Sequence, residues 1–258
     1  MLRSVAASGI SGLIKMTSLS KPRLGAIAAM ASVLVAGSAG GAQTKSPPPA
    51  MPHADSDIAV RAPVVAPQQV AELGRTLDVG DLVFIRIGAY PFRKVADATG
   101  TWTNHVGIVL DVSGREPVIG ESRFPFSGTT PLSRFVARSA GRRVAVMRLP
   151  VPLTNAQRTA IVTAAAQRER VFYDTGFDIH SDRQFCSRYV REVLQQGAGV
   201  NVGEVENFQT LLARSPQADI GFWRVWYVGS IPWQRETVTP ASVMHSPGLM
   251  TVFDGVAV

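Results

Sequence analysis

The alternation of apolar and polar residues predicts several short strands in the central part of the chain. Runs rich in β-branched and aromatic residues predict strands over 82–87, 105–111, 117–121, 144–149 and 222–228. The run over 105–111 ends at Ser113-Gly114, and the next run follows it at hairpin spacing. These two strands are therefore expected to form an antiparallel pair.

Two segments between these runs have helical spacing instead. Thr154 is a natural N-cap, and the residues over 156–168 are mostly helix formers. A second helix is predicted over 186–196, with an apolar face and with Gly197 as its stop. Antiparallel strands clustered around a few helices predict an α+β domain.

The N-terminal 42 residues have the three parts of a secretory signal. Lys21 and Arg23 precede an apolar run over 24–35, and small residues follow up to Ala42. Cleavage is expected after Ala39 or Ala42, with an uncleaved anchor as the alternative. Met16 is a second candidate for the true start, because the segment that follows it already contains a basic region. The expected location is the periplasm or cell envelope.

The remaining chain divides into a linker, a folded domain and a tail. Six prolines over 43–69 prevent a helix or sheet from propagating, which predicts a solvated linker. The folded domain is expected over 70–235. Residues 236–258 have no clear period and are expected to form a loosely ordered tail.

Composition and charge exclude several classes of function. The formal charge is +7, but residues 1–42 hold four basic residues and no acid, which leaves 22 basic against 19 acidic residues. A domain with so small an excess of basic residues is not expected to bind nucleic acid. One Cys and four scattered His exclude an internal disulfide framework and make a metal centre unexpected. No metal or organic cofactor is expected.

Cys186 is the candidate nucleophile of the chain. It stands at the start of the predicted helix over 186–196, where the helix dipole and free N–H groups favour a thiolate. The same N–H groups could hold the oxyanion of an attacked carbonyl. The alternative is that this cysteine is simply a small buried apolar residue.

A nucleophilic thiol needs a base, and His105 and His180 are the two candidates. His105 begins a strand, where a side chain can project into a cleft, whereas His180 lies in a polar loop six residues before Cys186. Glu121 ends the next strand, so a hairpin could bring it beside His105 to orient the imidazole. His105 could instead be a core histidine without a catalytic role, and Glu121 could be a surface glutamate. Ser187 lacks the Gly-x-Ser-x-Gly surroundings of a serine nucleophile.

The order of these motifs resembles a known family. Gly80-Asp-Leu-Val-Phe84, His105-Val-Gly-Ile-Val109, Glu121, Tyr173-Asp174 and Phe185-Cys186-Ser187 together resemble the circularly permuted papain-like group of the NlpC/P60 superfamily, its YiiX/YebB-like branch above all. The resemblance covers about residues 78–200. It implies an antiparallel sheet flanked by helices, with Cys186 as nucleophile, His105 as base and Glu121 as the orienting residue.

The sequence departs from the family pattern at three positions. These departures concern the groove in which the substrate is expected to bind more than Cys186, His105 and Glu121. The residue before the Cys is Phe185 where Tyr is frequent, and the residue two after it is Arg188 where an acid is frequent. Asn104 stands before the His where Ser is frequent.

The hypothesis is therefore an exported cysteine hydrolase, an amidase or peptidase that acts through a thioester. Envelope peptide is the first expected substrate and a lipid acyl group the second. Two alternatives stay open: a non-catalytic envelope module that binds peptide or lipid, and an acyltransferase of the same fold. Membrane contact is expected only through an uncleaved N-terminal segment.

Overall fold

The structure is a computed structural model, and it describes residues 67–256. The expected signal over 1–42 and the linker over 43–66 lie outside the described residues, as do residues 257 and 258. The last three positions of the expected linker, 67–69, belong to the first helix, which begins at a proline. Within residues 67–256, no helix has both the length and the hydropathy needed to cross a bilayer.

Eight helices and eight strands make up the described part of the chain. The strands are β1 (Leu82–Ile87), β2 (His105–Asp111), β3 (Val118–Ser122), β4 (Ser127–Pro131), β5 (Ser139–Arg148), β6 (Val205–Asn207), β7 (Glu236–Val238) and β8 (Met250–Val256). The helices are α1 (Pro67–Thr76), α2 (Tyr90–Thr99), α3 (Leu132–Ala137), α4 (Asn155–Ala166), α5 (Cys186–Ala198), α6 (Phe208–Arg214), α7 (Ile220–Trp226) and α8 (Pro240–Met244).

Six of the strands form one antiparallel sheet in the order β4-β3-β2-β1-β5-β8, which confirms the predicted α+β class. Its central strands are buried on both faces. Leu82 and Phe84 pack with Val190 of α5, whereas Val83 and Ile85 pack on the opposite side among residues of α1 and α3. A strand covered on both faces needs an unbroken apolar run, and 82–85 is such a run.

The helix predicted from Thr154 is present as α4. The Thr154 hydroxyl accepts from the backbone N–H of Gln157, whose side chain accepts in return from the Thr154 N–H. The second predicted helix is α5, but its stop is not Gly197. The helix continues to Gly199, which adopts φ 72° and closes it. Gly197 is instead a packing position against Ile161 of α4.

The segment over 222–228, predicted as a strand, is helical up to Trp226 and then forms a turn. Its helical part belongs to α7, whose N-cap Asp219 accepts from the backbone N–H of Phe222. The bulky residues follow helical spacing, so that Trp223 is buried and Val225 is exposed. Aromatic and β-branched content suggested a strand, but the cap and the 3.6-residue period decide the outcome.

The segment over 236–256, expected to be a loose tail, is part of the folded domain. β7 pairs with β6, and β8 pairs with β5 at the edge of the main sheet. Edge strands are covered less than central ones, and β8 is exposed or half-buried along its whole length. Its sequence therefore carries little of the alternation that marks a half-buried strand.

Gly197→Ala is expected to loosen α5 from α4 and so to destabilise the domain. A Cβ at this position would lie 2.6 Å from the backbone nitrogen of Ile161, a contact that side-chain movement cannot relieve. The expected loss in the free energy of unfolding is about 1–3 kcal/mol, as for other overpacked sites. Urea unfolding measures it. The control is Gly248→Ala, where a Cβ meets no atom within 4 Å; equal losses in both variants would contradict the packing argument.

Candidate active site

Cys186 is the first residue of α5, and it is buried with 3% of its surface exposed. Its N-cap, Phe185, has an extended backbone and offers no side-chain acceptor to the helix start. The N–H groups there are consequently left for another acceptor, and the positive end of the helix dipole favours an anion. Arg188 fixes the preceding loop, because its guanidinium donates to the carbonyls of Ser181 and Arg183.

His105 and Glu121 meet on neighbouring strands. His105 begins β2, Glu121 lies near the end of β3, and the His105 Nε2 is 2.6 Å from the Glu121 Oε2. A carboxylate can only accept, so Nε2 carries the proton of this hydrogen bond. The other ring nitrogen, Nδ1, is buried and accepts no hydrogen bond from the described residues. The imidazole is thus oriented by Glu121, with Nδ1 left for a different group.

We assign the Cys186 thiol to this position, because its charge acts on the His105 side chain, although Nδ1 and the sulfur form no hydrogen bond in the structure. Burial would lower the pKa of His105, but the nearby charge of Cys186 and the hydrogen bond with Glu121 raise it to about 9. Burial likewise would raise the pKa of Cys186, but His105 and the backbone N–H groups of Val106 and Ser187 hold it below its ordinary value. Both shifts favour a thiolate beside an imidazolium.

Glu121 is fully buried, and three further side chains hold it ionised. The Arg138 Nη2 lies 2.8 and 2.7 Å from its two oxygens, and the Thr130 hydroxyl donates at 2.6 Å. Arg123 adds a longer contact at 3.5 Å. Burial would raise the pKa of Glu121, but the hydrogen bond and charge of His105 and those of Arg138 lower it to about 2. The carboxylate is therefore charged at neutral pH.

Tyr173 contributes a hydroxyl near the thiol. Burial raises its pKa well above the ordinary value, and so does the charge of Cys186. The neutral phenol is therefore the stable form, and a neutral phenol can donate. Tyr173 is a candidate to hold negative charge that develops next to the sulfur.

Of the candidate residues, the structure brings Cys186, His105 and Glu121 together, leaves His180 on the surface and engages the hydroxyl of Ser187 elsewhere. His180 lies on the surface, where its Nε2 is 2.7 Å from the Glu236 Oε2. The Ser187 hydroxyl is buried and donates to the carbonyl of Val238, so it serves to join α5 to β7. Neither arrangement suits a base or a nucleophile at this site.

Sequence reasoning missed Arg138, Thr130 and the role of Tyr173. Arg138 and Thr130 follow Glu121 by 17 and 9 residues, and only the folding of β4 and α3 back onto β3 brings them to it. No local spacing signals that contact. Tyr173 stood in the family motif, but its position beside the thiol depends on a bridge between its own backbone and Gln184.

A narrow cavity of about 30 Å³ adjoins Cys186, enough for about two water molecules. Its walls come from α2, α5, α6, α7 and the segment over 237–240. They are mainly apolar, with Phe92, Tyr173, Phe177, Leu211, Trp223 and Val238 among them. The Trp223 indole N–H is buried and has no hydrogen-bond partner among the described residues. The cavity is thus a small and mainly apolar space.

A thiol at a helix start that faces an imidazole on an antiparallel sheet defines the papain-like class of proteins. Here the histidine precedes the cysteine in the chain, as in a permuted member. The profile of the family described as "permuted papain-like amidase enzyme, YaeF/YiiX, C92 family" matches residues 76–253. The chain belongs to this family, and it is accordingly a thiol hydrolase of the amidase or peptidase type. The wider NlpC/P60 placement stays a prediction.

Two relatives carry the YiiX name. Escherichia coli (strain K12) YiiX is 28% identical over 173 residues, which cover 67% of this chain and 84% of the relative. A crystal structure described as metalloprotein YiiX from Escherichia coli O157:H7 has a TM-score of 0.64 at 25% identity, over 69% of this chain and 98% of that one. In residues 67–256 of this chain, no three His, Cys, Asp or Glu side chains are grouped so as to hold a metal ion.

Alkylation of Cys186 is expected to report the thiolate. Iodoacetamide should react at pH values well below the ordinary thiol pKa of about 8.5, and His105→Ala should slow the reaction at pH 6.5 by about tenfold or more. Burial slows all variants alike, so the pH profile is the informative measurement. His180→Ala is the matched control and should leave the profile unchanged. A profile near pH 8.5 that ignores His105 would contradict the ion pair.

Arg138→Met is expected to destabilise the domain at neutral pH, because it leaves a buried carboxylate short of a partner. Since the pKa of Glu121 is depressed from 4.5 to about 2, its stabilising contribution is present above pH 4.5 and lost as pH falls through about 2. Arg138 is about a third exposed, so the expected loss at pH 7 is about 1–3 kcal/mol rather than more. Urea unfolding from pH 7 down to pH 3 measures it.

In the Arg138→Met variant, Glu121 should become protonated at a higher pH than in the wild type. The difference between the two proteins should therefore shrink as the pH is lowered. Arg134→Met, on the exposed side of the same helix, is the control and should change stability by less than about 0.5 kcal/mol. A loss for Arg138→Met that does not depend on pH would show that the charge of Glu121 is not involved.

Proposed function

We propose that this protein is an exported thiol amidase or peptidase in which Cys186 is the nucleophile, His105 the base and Glu121 the residue that orients the imidazole. The observation that carries the proposal is the buried contact series from Glu121 through His105 to Cys186 at the start of α5. Family membership supports the same class of chemistry. Export rests on the signal-like composition of residues 1–42.

In the resting enzyme the Cys186 proton lies on the Nδ1 of His105, as the two pKa shifts favour. The thiolate attacks the carbonyl carbon of an amide, and the carbonyl oxygen becomes an oxyanion. The Cys186 N–H and the Tyr173 hydroxyl are the donors proposed to hold it. The imidazolium then protonates the leaving amine, the C–N bond breaks, and a thioester remains on Cys186.

In deacylation, His105 accepts a proton instead of donating one. Water replaces the amine, gives its proton to His105, and attacks the thioester carbonyl. Collapse of the second intermediate releases the carboxylic acid, and the thiolate is restored beside the imidazolium. Glu121 keeps Nε2 protonated throughout and so presents Nδ1, the correct nitrogen, to the sulfur.

The substrate proposed first is a peptide amide of the cell wall, the polymer that an exported amidase would meet. The second is a lipid acyl group, for which one structural feature speaks. The space beside Cys186 is lined mainly by apolar side chains. An apolar lining favours an apolar acyl group over a charged one, and the 30 Å³ space would have to widen to admit it.

Incubation of the protein with a panel of muropeptides and acyl lipids is expected to yield one hydrolysed class, detected by mass spectrometry. Cys186→Ala should abolish the product, and His105→Ala should lower kcat by at least about a hundredfold. Cys186 acylated by the substrate should appear as a mass adduct on the intact protein. His180→Ala is the matched control and should retain activity within about twofold, because that side chain lies on the surface.

Two results would redirect the proposal. Binding of one substrate class without turnover, with an ordinary thiol titration, would favour a non-catalytic envelope module. Transfer of the acyl group to an added alcohol or amine in preference to water would favour an acyltransferase. Turnover that survives Cys186→Ala would remove the proposed mechanism altogether.

A further inference from the structure

The exposed side of α7 carries an apolar surface that the proposed chemistry does not use. We call Tyr90, Phe222, Val225, Trp226 and Val228 the α7 patch. Val225 is 81% exposed and Val228 86%, the highest values among the large apolar residues of the described chain. Tyr90 packs edge-on against Phe222 at 5.6 Å, and Phe222 stacks on Trp226 at 5.6 Å. A continuous aromatic row thus leads to two exposed valines.

Val228 also holds a strained backbone. Its φ of 51° lies in the left-handed region, where a β-branched residue is a genuine outlier. Gly229, directly after it, has φ 97° and could have taken the strain alone. A strained valine that buries almost none of its side chain lowers stability without any return from packing. Such positions are found where function requires them.

Cations border the patch. Arg93 lies over the ring of Tyr90 at 5.5 Å, and Arg224 is exposed next to Val225. Among the described residues, neither arginine makes an ion pair with an acid; Lys94 beside them is paired with Asp219 at 2.8 Å. Exposed aliphatic tips, aromatic rings and free arginines together are the composition of a protein surface that enters the interface of an anionic membrane.

The inner side of the same helix faces the thiol cavity. Trp223 is buried and lines that cavity together with Phe92 of α2. The α7 patch therefore lies on the outside of the two helices whose inner sides border Cys186. A surface bound by the patch would be held next to the wall that separates the thiol from solvent.

We propose that the α7 patch docks on the surface of a membrane that contains anionic lipids, with Val225 and Val228 entering the headgroup region. Arg93 and Arg224 would contact lipid phosphates. The proposal goes beyond the proposed function and does not depend on it, because docking needs no reaction. It concerns a surface contact by residues of the folded domain, separate from any anchor in residues 1–42.

The single cysteine allows a local test. In the full chain carrying Cys186→Ala, Val228→Cys is labelled with an environment-sensitive fluorophore and mixed with phosphatidylglycerol or phosphatidylcholine vesicles. The matched control is Val151→Cys in the same background, a residue 74% exposed on the loop between β5 and α4. The label at 228 should shift to shorter wavelength with phosphatidylglycerol only, and the label at 151 should not shift.

Because residues 1–42 are the same in both labelled proteins, binding through that segment would not separate them. Arg224→Gln in the 228-labelled protein should weaken the response about fivefold at low salt, from about 1 kcal/mol per arginine near an anionic surface. Three results would overturn the proposal: no shift at 228 while the protein sediments with vesicles, equal shifts at 228 and 151, or equal shifts with neutral vesicles. The last two would point to a protein or unspecific apolar partner.

Val228→Gly supplies a second test that separates docking from stability. Glycine accepts the left-handed backbone, so the thermal midpoint should rise or stay the same. Sedimentation with phosphatidylglycerol vesicles should nevertheless fall relative to the wild type, whereas Val151→Gly should leave it unchanged. Undiminished vesicle binding by Val228→Gly and Val225→Asp would show that the exposed valines do not mediate the contact.

Discussion

A carboxylate sealed inside the protein is the constraint on which the candidate site depends. Glu121 has no exposed surface, and an isolated charge there would be too costly to keep. Arg138, Thr130 and His105 offset that cost by surrounding its two oxygens with donors. The satisfied carboxylate fixes the proton of His105 on Nε2, which leaves Nδ1 to the thiol. The properties of Cys186 are thus set by groups on the far side of the imidazole, on β3, β4 and α3.

The sheet and its two helical layers make this arrangement possible. Glu121 and Arg138 belong to the side of the sheet covered by α1 and α3, whereas Cys186 belongs to the side covered by α5. His105 joins the two because it begins β2, where a side chain is not confined to one covered face. Asn104, the departure next to it, holds this corner by donating to the carbonyls of Ile87 and Phe92. It ties β1 to the start of α2 and also lines the cavity beside Cys186.

The central strands of the sheet and the helices α4 and α5 could be predicted from the sequence. In each of them the pattern of apolar residues, or a cap, marks the element within a few positions. The proximity of Glu121 to His105 followed from a hairpin, which is also local. Arg138 could not be found this way, because its contact depends on the return of α3 over the sheet. The strand prediction over 222–228 is wrong because bulky residues, although typical of strands, also fit the helix that Asp219 caps. β8 could not be predicted, because an edge strand buries few side chains and its sequence therefore lacks a clear apolar pattern.

Because Cys186 is almost completely buried, α7 affects how a substrate can reach the thiol. A thiolate that must meet a substrate cannot stay closed off, so some part of its cover has to move, and local movement is easiest where stability is low. α7 has only seven residues, is followed two residues later by the strained Val228, and exposes Val225 to solvent. It is attached through the buried Trp223 and through hydrogen bonds from Trp226 and Tyr227 to the carbonyls of Thr175 and Gly176. A short element with an apolar outer surface thus covers the sulfur, and a ligand that contacts this surface would contact the cover of the site.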